Sequence, residues 1–412
     1  MIDEEKSLLM VTITGPDKPG IMAALSRVLS RHEVELENIE QASLQRMLAI
    51  YLLLDLSNVK QSKDSVIKDL LFEATKLNLT LNFRLVSPDE VAAALQRRLF
   101  VLTLFGGVEA LAELTGTLAE ENVNIEAITS RTHHRARSVE MVINVNKVSN
   151  LSRLKQKVML RSRELNIDLA LQKMEAYRKS KRLIFFDVDS TLIDAEIIDE
   201  MARKAGVFQE VSRITEKAMR GDFDFEESLI QRVALLKGLT VEKLIEIRDG
   251  LRLSEGIKEL LVTLQWLGYK TGIVTGGFDF FADHFKETLK FDFAFANHLE
   301  IKDGALTGKV TGNIIDAAEK ARIVSQTACS LGIPLDQIIV VGDGANDTLM
   351  LGQAGLGIAY NAKPVLDRVA NVSLGRDRFK SVFHLLGITD ENIDEAMSCT
   401  PLDAGDRGLL NR

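Results

Sequence analysis

Residues 182–191 read Arg182-Leu183-Ile184-Phe185-Phe186-Asp187-Val188-Asp189-Ser190-Thr191, an apolar run that stops abruptly at two carboxylates two positions apart. Leu183 to Phe186 have the length and composition of a buried strand. In an extended chain residues i and i+2 project to one side, so if strand geometry persists the carboxylates of Asp187 and Asp189 leave the sheet together. Unpaired charge beside a core is costly, and a bound cation is the usual remedy.

Downstream of Thr191 four charge-rich helical stretches follow, Ile197 to Ala205, Gln209 to Arg220, Phe225 to Leu236 and Val241 to Gly250, with no strand pattern among them. They read as a small helical insertion. Apolar strands return at Thr271 to Val274 and Ile338 to Val341, alternating with helices around Leu260, Phe281 and Ala321. That alternation predicts an α/β domain with a doubly wound parallel sheet, in which ligands bind beyond the carboxyl ends of the strands.

Polar clusters sit where such a sheet would place them. Ile273-Val274-Thr275-Gly276-Gly277 ends a strand with a hydroxyl and two glycines, which is either an ordinary turn or a place where backbone N–H groups approach a phosphate. Lys320, near a helix start, is either a solvated surface cation or a partner for phosphoryl oxygens. Val341-Gly342-Asp343-Gly344-Ala345-Asn346-Asp347 ends another strand in a carboxylate and places a second one helical turn later, with small residues that leave room for an ion. Hard oxygen ligands in this number favour Mg²⁺ over zinc. Beside Mg²⁺ and a phosphate cradle, Asp187 can attack phosphorus to give an aspartyl phosphate, and Asp189 can protonate the leaving alkoxide and later deprotonate water.

The residues before 174 contain a duplication. Val28-Leu29, Val34, Leu36 and Ile39 recur in constant register as Thr117-Leu118, Val123, Ile125 and Ile128. Ile50, Leu52, Leu54 and Leu56 return as Val139, Met141, Ile143 and Val145 with period two, the mark of a strand with one buried face. Lys76-Leu77-Asn78-Leu79-Thr80-Leu81 is echoed by Glu164-Leu165-Asn166-Ile167-Asp168-Leu169. Each copy predicts strand, helix, strand, strand, helix, strand, a ferredoxin-like βαββαβ unit. In the first copy Gly15-Pro16-Asp17-Lys18-Pro19-Gly20 opens a helix; it is either a turn with ordinary breaker chemistry or a helix start whose amides hold a carboxylate, with Asn38 on the approach to the next strand.

A net charge of −8 over 412 residues gives no basic footprint, so neither nucleic acid nor an anionic membrane surface is expected as a partner. The longest apolar stretches are strand-sized, and Met1 to Lys6 do not resemble a signal peptide, which predicts a cytoplasmic protein. Cys329 and Cys399 lack metal-ligand or redox spacing.

The four clusters, in this order, resemble the haloacid dehalogenase superfamily, and over about residues 181–386 they resemble its phosphoserine phosphatases. Phe186-Asp187-Val188-Asp189-Ser190-Thr191-Leu192, Ala218-Met219-Arg220-Gly221, Phe225-Glu226-Glu227-Ser228-Leu229 with Arg232-Val233, the Gly342 to Asp347 segment and Ala359-Tyr360-Asn361-Ala362-Lys363-Pro364 carry the likeness. It implies that Asp187 is the nucleophile and Asp189 the acid and base. Mg²⁺ would be held by Asp187, the Asp189 carbonyl and Asp343, with Asn346 and Asp347 in support. Thr275, where these enzymes usually have serine, would bind the phosphoryl group together with Gly276 and Lys320. The helical insertion becomes a lid, with Glu196 and Arg232 gripping the ammonium and carboxylate of O-phospho-L-serine and with Met219 and Phe225 packing over it. An alternative keeps the aspartyl phosphate but passes it to another alcohol such as homoserine. The Gly15 to Gly20 motif, the repeat size and the topology resemble the ACT family of regulatory domains, over about residues 8–173. This implies an amino-acid effector, most naturally L-serine, near Asp17, Gly20 and Asn38, and a homodimer. The second copy departs from that pattern, with Phe105-Gly106-Gly107-Val108-Glu109 in place of the turn. The organisation expected is 1–86 and 87–173 as ACT-like domains, 174–390 as the α/β domain with its cap at about 194–253, and 391–412 as a tail.

Overall fold

The computed structural model describes residues 7–59, 62–87, 89–91, 97–133, 136–220, 223–375 and 379–399, the side chains of 131–133, 136–137 and 219 excepted. The chain forms two compact units, Met1–Arg97 and Arg98–Arg412.

In the first unit, strands β1 (Leu8–Pro16), β2 (Glu35–Leu44), β3 (Met47–Asp55) and β4 (Thr80–Val86) form an antiparallel sheet in the order β2-β3-β1-β4. Val11 faces Leu52 and Ile13 faces Ile50 across β1 and β3. The period-two residues Leu9, Val11, Ile13, Ile50, Leu52 and Leu54 are all buried, against Leu25 and Val28 of helix Ile21–Arg31 and Val66 and Leu70 of helix Lys63–Lys76. Gly20 starts the first of these helices at φ 93°, a left-handed conformation that glycine takes without steric cost.

The second unit begins with the second copy: β5 (Leu99–Phe105), β6 (Asn124–His133), β7 (Ala136–Asn144) and β8 (Asp168–Lys173), with helices Val108–Glu120 and Leu151–Glu164. The strand order β8-β5-β7-β6 reproduces that of the first copy, as the duplication predicts. Its sheet does not end at β8. Beyond it lie β9 (Leu183–Phe186), β10 (Lys270–Phe278), β11 (Phe293–Lys302), β12 (Ala305–Thr311), β13 (Ile338–Gly342), β14 (Leu356–Tyr360) and β15 (Val372–Leu374), and β8 pairs antiparallel with β15. The result is one eleven-stranded sheet, β12-β11-β10-β9-β13-β14-β15-β8-β5-β7-β6.

Strands β11, β10, β9, β13, β14 and β15 are mutually parallel, with β9 central. Ile184 and Phe186 enter one hydrophobic core and Leu183 and Phe185 another, because helices cover both faces. That is why the run in β9 is continuous rather than alternating. Four helices, Ile197–Ala205, Phe208–Arg220, Phe225–Leu235 and Val241–Gly250, interrupt the sheet between β9 and β10, as the insertion predicts. Two features differ from the sequence reading. Residues 293–311 form an antiparallel hairpin, β11 with β12. Asp390–Cys399, which runs into the stretch 391–412 expected as a tail, is a helix; Ile393 packs against the main core and Ala396 is fully buried. No described helix is long and apolar enough to cross a membrane.

Candidate active site

The strand does not carry both acids out together. β9 ends at Phe186, the Asp187 amide donates to the Val341 carbonyl at 2.9 Å, and Val188–Leu192 then close a single wide turn. Ser190 stands at φ 55° within it. Asp189 reaches the same cavity as Asp187 because the turn bends it there, not because of strand pleat. Its Oδ1 accepts from the Ile197 amide at 2.7 Å, at the start of the first cap helix. Burial, then Glu196 and Asp187, push the Asp189 carboxyl well above the ordinary carboxylate range, against the pull of the Ile197 amide and Lys320. That environment favours the protonated form of Asp189 over the charged one.

Lys320 is fully buried, which removes the surface reading of this lysine. Its Nζ lies 2.9 Å from Asp187 Oδ2 and 2.8 Å from Asp347 Oδ1. Burial alone would favour the neutral amine, but Asp187 and Asp347 outweigh it and hold the group charged. Asp347 is equally buried, and its other oxygen accepts from the amides of Asp343 and Gly344 at 3.1 Å each. Both Asp347 oxygens are thus engaged by donors of the protein itself. A Cβ on Gly342 would fall 2.4 Å from Asp347 Oδ2, so this close turn requires glycine.

One carboxylate oxygen from each of Asp187, Asp343 and Asp347 lies within 4.8 Å of the others, a cluster of hard ligands suited to Mg²⁺. Burial, then Asp187 and Asp347, push Asp343 up to about 7, a repulsion that a divalent cation would relieve. The Asn346 amide nitrogen sits 3.5 Å from Asp187 Oδ2.

Thr275 Oγ1 accepts from the Gly277 amide at 2.9 Å and fixes the irregular end of β10, where the pairing with β11 shifts register between Val274 and Phe278. Gly276 lies under the cap: a Cβ there would be 2.9 Å from Phe225 Cζ. Asp187, Asp189, Glu196, Phe225, Arg232, Thr275, Gly276, Asp343 and Asn346 thus line one cavity of about 150 Å³. The Glu196 carboxylate accepts from the Ser190 hydroxyl at 2.9 Å, and burial raises its pKa in spite of that bond. Arg232 Nε donates to the Ser228 carbonyl at 3.3 Å. The side chain of Met219 lies outside the described residues.

Sequence reasoning assigned no role to two residues here. Lys363 also lines the cavity, and its amide donates to the Asp343 carbonyl at 3.0 Å. The signal was present, since Lys363 belongs to the Ala359 to Pro364 segment that matched the family pattern. Asn297, buried on β11, donates to the Gly276 carbonyl and accepts from the Ile315 amide, both at 2.8 Å, so it holds the Thr-Gly-Gly turn in place. Only the unanticipated hairpin strand brings it there.

In the first unit, Asp17 and Gly20 are exposed in the turn before helix Ile21–Arg31, and Asn38 is exposed on β2. Asp17 Oδ2 accepts from the Ser43 hydroxyl of β2 at 2.8 Å, and Asn38 Oδ1 accepts from the Ile39 amide at 2.8 Å.

With this geometry in hand, similarity to known proteins is informative. The haloacid dehalogenase-like hydrolase family matches residues 181–355, and the ACT domain family matches residues 7–84 and again 108–156. The phosphoserine phosphatase SerB2 of Mycobacterium tuberculosis is 37% identical to 98% of the chain, over 97% of its own length. The chain belongs to the phosphoserine phosphatase family. A phosphoserine phosphatase from Archaeoglobus fulgidus is 46% identical over 62% of the chain and 74% of its own length. Among solved structures, a haloacid dehalogenase family hydrolase from Salmonella enterica serovar Typhi superposes with a TM-score of 0.61 at 28% identity, over 70% of this chain and 98% of that one. This chain joins one hydrolase domain to two ACT domains, and the family match to 108–156 falls in the copy whose Asp-Lys-Pro-Gly turn is missing.

Proposed function

We propose that the chain hydrolyses O-phospho-L-serine to L-serine and phosphate through an aspartyl phosphate on Asp187, the last step of L-serine formation. The observation that carries this reading is the arrangement of a buried Asp187 held 2.9 Å from the Lys320 ammonium, with a second carboxyl, Asp189, on the same cavity. Asp187 attacks phosphorus while Asp189 gives its proton to the departing serine oxygen. Asp189 then takes a proton from the water that hydrolyses the aspartyl phosphate, as microscopic reversibility requires. Lys320, the Thr275 hydroxyl and the Gly276 amide hold the phosphoryl oxygens where negative charge accumulates. Asp187, the Asp189 carbonyl and Asp343 would hold Mg²⁺, with Asp347 and Asn346 in support. The ion supplies charge neutralisation at the phosphoryl group.

Substrate choice is assigned to the cap. Arg232 suits a carboxylate and Glu196 an ammonium, and both face the cavity beside the apolar ring of Phe225. The closing of these helices over the phosphate would exclude water. We read 1–86 and 87–173 as ACT domains, 174–390 as the phosphatase domain with its cap at about 194–253, and the chain as a cytoplasmic homodimer. An amino acid, L-serine first, would be sensed near Asp17, Gly20 and Asn38.

The test is phosphate release from phosphoserine, phosphothreonine and sugar phosphates, with and without Mg²⁺ and with and without free L-serine. Phosphoserine is expected to be the preferred substrate. Asp187→Asn is expected to lower kcat by on the order of 10³-fold or more. A normal rate in that variant, or no hydrolysis of phosphoserine by the parent, rules the reading out.

A further inference from the structure

At the amino ends of β13, β14 and β15, away from the carboxyl ends that form the candidate active site, the second unit contains a cleft of about 380 Å³. One wall comes from the second copy, through Phe100 of β5, Leu151 at a helix start and Gln172 of β8; the other comes from residues just before β13, β14 and β15. The segment joining the two domains crosses it with Arg178 and Lys181.

Gln172 is only 3% exposed. Its Oε1 accepts from Arg178 Nη1 at 3.5 Å, which orients the amide, and its Nε2 has no hydrogen-bond partner. A buried N–H donor left without an acceptor is costly, so native proteins leave few of them. Arg178 is steadied by Glu140 at 3.2 Å through the same Nη1 atom, and among the described residues its Nε and Nη2 meet no acceptor. Lys181 is buried, and its Nζ donates to the carbonyl of Asp336. Four cationic side chains, Arg98, Lys173, Arg178 and Lys181, line the cleft with Glu175 and Asp336; Glu175 pairs with Lys173 at 3.1 Å and Glu140 with Arg178, so the cations still outnumber these three carboxylates by one. The cleft therefore offers an unused buried amide donor, surplus positive charge and the apolar faces of Phe100 and Leu151.

We propose that this cleft binds a small organic carboxylate, its anionic end on Gln172 Nε2 and the cations around it, its carbon skeleton against Phe100 and Leu151. A carboxylate satisfies the orphaned amide with a strong acceptor, and a guanidinium beside it completes a two-donor grip. The bound molecule touches both β8 and the segments preceding β13 to β15, so it links the second copy to the phosphatase sheet. The proposal does not depend on the reaction assigned above.

Saturation-transfer NMR on the full chain, with acetate, succinate and benzoate as probes and inorganic phosphate as comparison, tests it. At least one carboxylate should bind saturably and raise the thermal midpoint, and phosphate should bind more weakly. Gln172→Leu removes the unpaired donor at similar volume and should weaken binding at least tenfold without lowering the midpoint of the unliganded protein. Arg98→Glu, at an exposed side chain, should weaken it several-fold and serves if Gln172→Leu fails to fold. The proposal is overturned if none of the three carboxylates binds, if binding survives both substitutions, or if phosphate binds better than all three.

Discussion

The two ACT copies share strand order, helix placement and core pattern, yet their last strands meet different fates. β4 is an edge: from Asn82 to Leu85 every residue is exposed, with Phe83 at 47% and Leu85 at 70%. β8, its counterpart, is buried from Asp168 to Gln172 because β15 pairs along its free side, Ala170 opposite Val372 and Leu169 opposite Ser373. The Leu171 amide adds a bond to the Asn371 carbonyl at 2.8 Å. A duplicated fold thus conserves what its own core needs and leaves the edge free to change. In the second copy the edge has become the seam with the phosphatase domain, while the first copy keeps an open strand with apolar side chains.

The strongest test of this contrast is at the first residue of the two strands. Asp168 is 1% exposed, and its oxygens accept from the Gly375 amide at 2.8 Å and the Ser381 hydroxyl at 2.9 Å, both across the seam. The repeat places Thr80, exposed, at the same point of the first copy. Asp168→Ala should cost about 3 kcal/mol in denaturant unfolding, since two donors lose a charged acceptor. Thr80→Ala should stay within about 0.5 kcal/mol. Equal costs would mean that the seam is not what distinguishes the copies.

How much of this could be read from sequence follows the range of the interactions. Period-two runs such as Ile50, Leu52, Leu54 and Met141, Ile143 gave their strands and buried faces directly, because burial on one face leaves a local signature. The cap helices were legible for the same reason. Lys320 and Asp347 were not legible as a buried pair, since each looks like a surface charge until the chain folds back across a separation of 27 positions. The seam was invisible: Asp168 meets Gly375 across 207 positions, and nothing near Asp168 marks its partner. The strand extrapolation through Asp189 failed because β9 ends at Phe186 and the chain turns from Val188 onward, a change that the apolar run before it does not announce.

A second contrast lies on the helices behind the strands. Lys155 donates from Nζ to the Val369 carbonyl at 2.7 Å, and burial lowers its pKa from 10.5 to about 8. Its counterpart in the first copy is Ile67. Below about pH 8 the folded protein carries this charge at a desolvation cost. Between about 8 and 10.5 the unfolded chain holds a proton that the folded chain has released, so stability should rise with pH across that window. Lys155→Met should remove the rise and add on the order of 1 kcal/mol at pH 7, the gain being limited by the lost bond to Val369. Urea midpoints measured from pH 7 to 10 would show this, and an unchanged slope in the variant would refute it.

The smallest effect is expected at the ion pair made by the last turn of the helix Leu151–Glu164. Arg163 Nε and Nη2 lie 3.0 and 2.9 Å from Asp367 Oδ1, with side chains 26% and 12% exposed, whereas the Thr75 hydroxyl of the first copy donates to the Leu71 carbonyl of its own helix. Burial raises the Asp367 carboxyl even with the guanidinium opposing it, so the pair barely offsets its own desolvation. Arg163→Ala should therefore cost only about 1 kcal/mol at pH 7. The loss should shrink on acidification, because a protonated Asp367 no longer needs a cation. In a double-mutant cycle with Asp367→Asn the coupling should account for most of that cost. A coupling near zero would place the strength of the seam in its strand pairing and in Asp168, leaving the ion pair as a solvated neighbour.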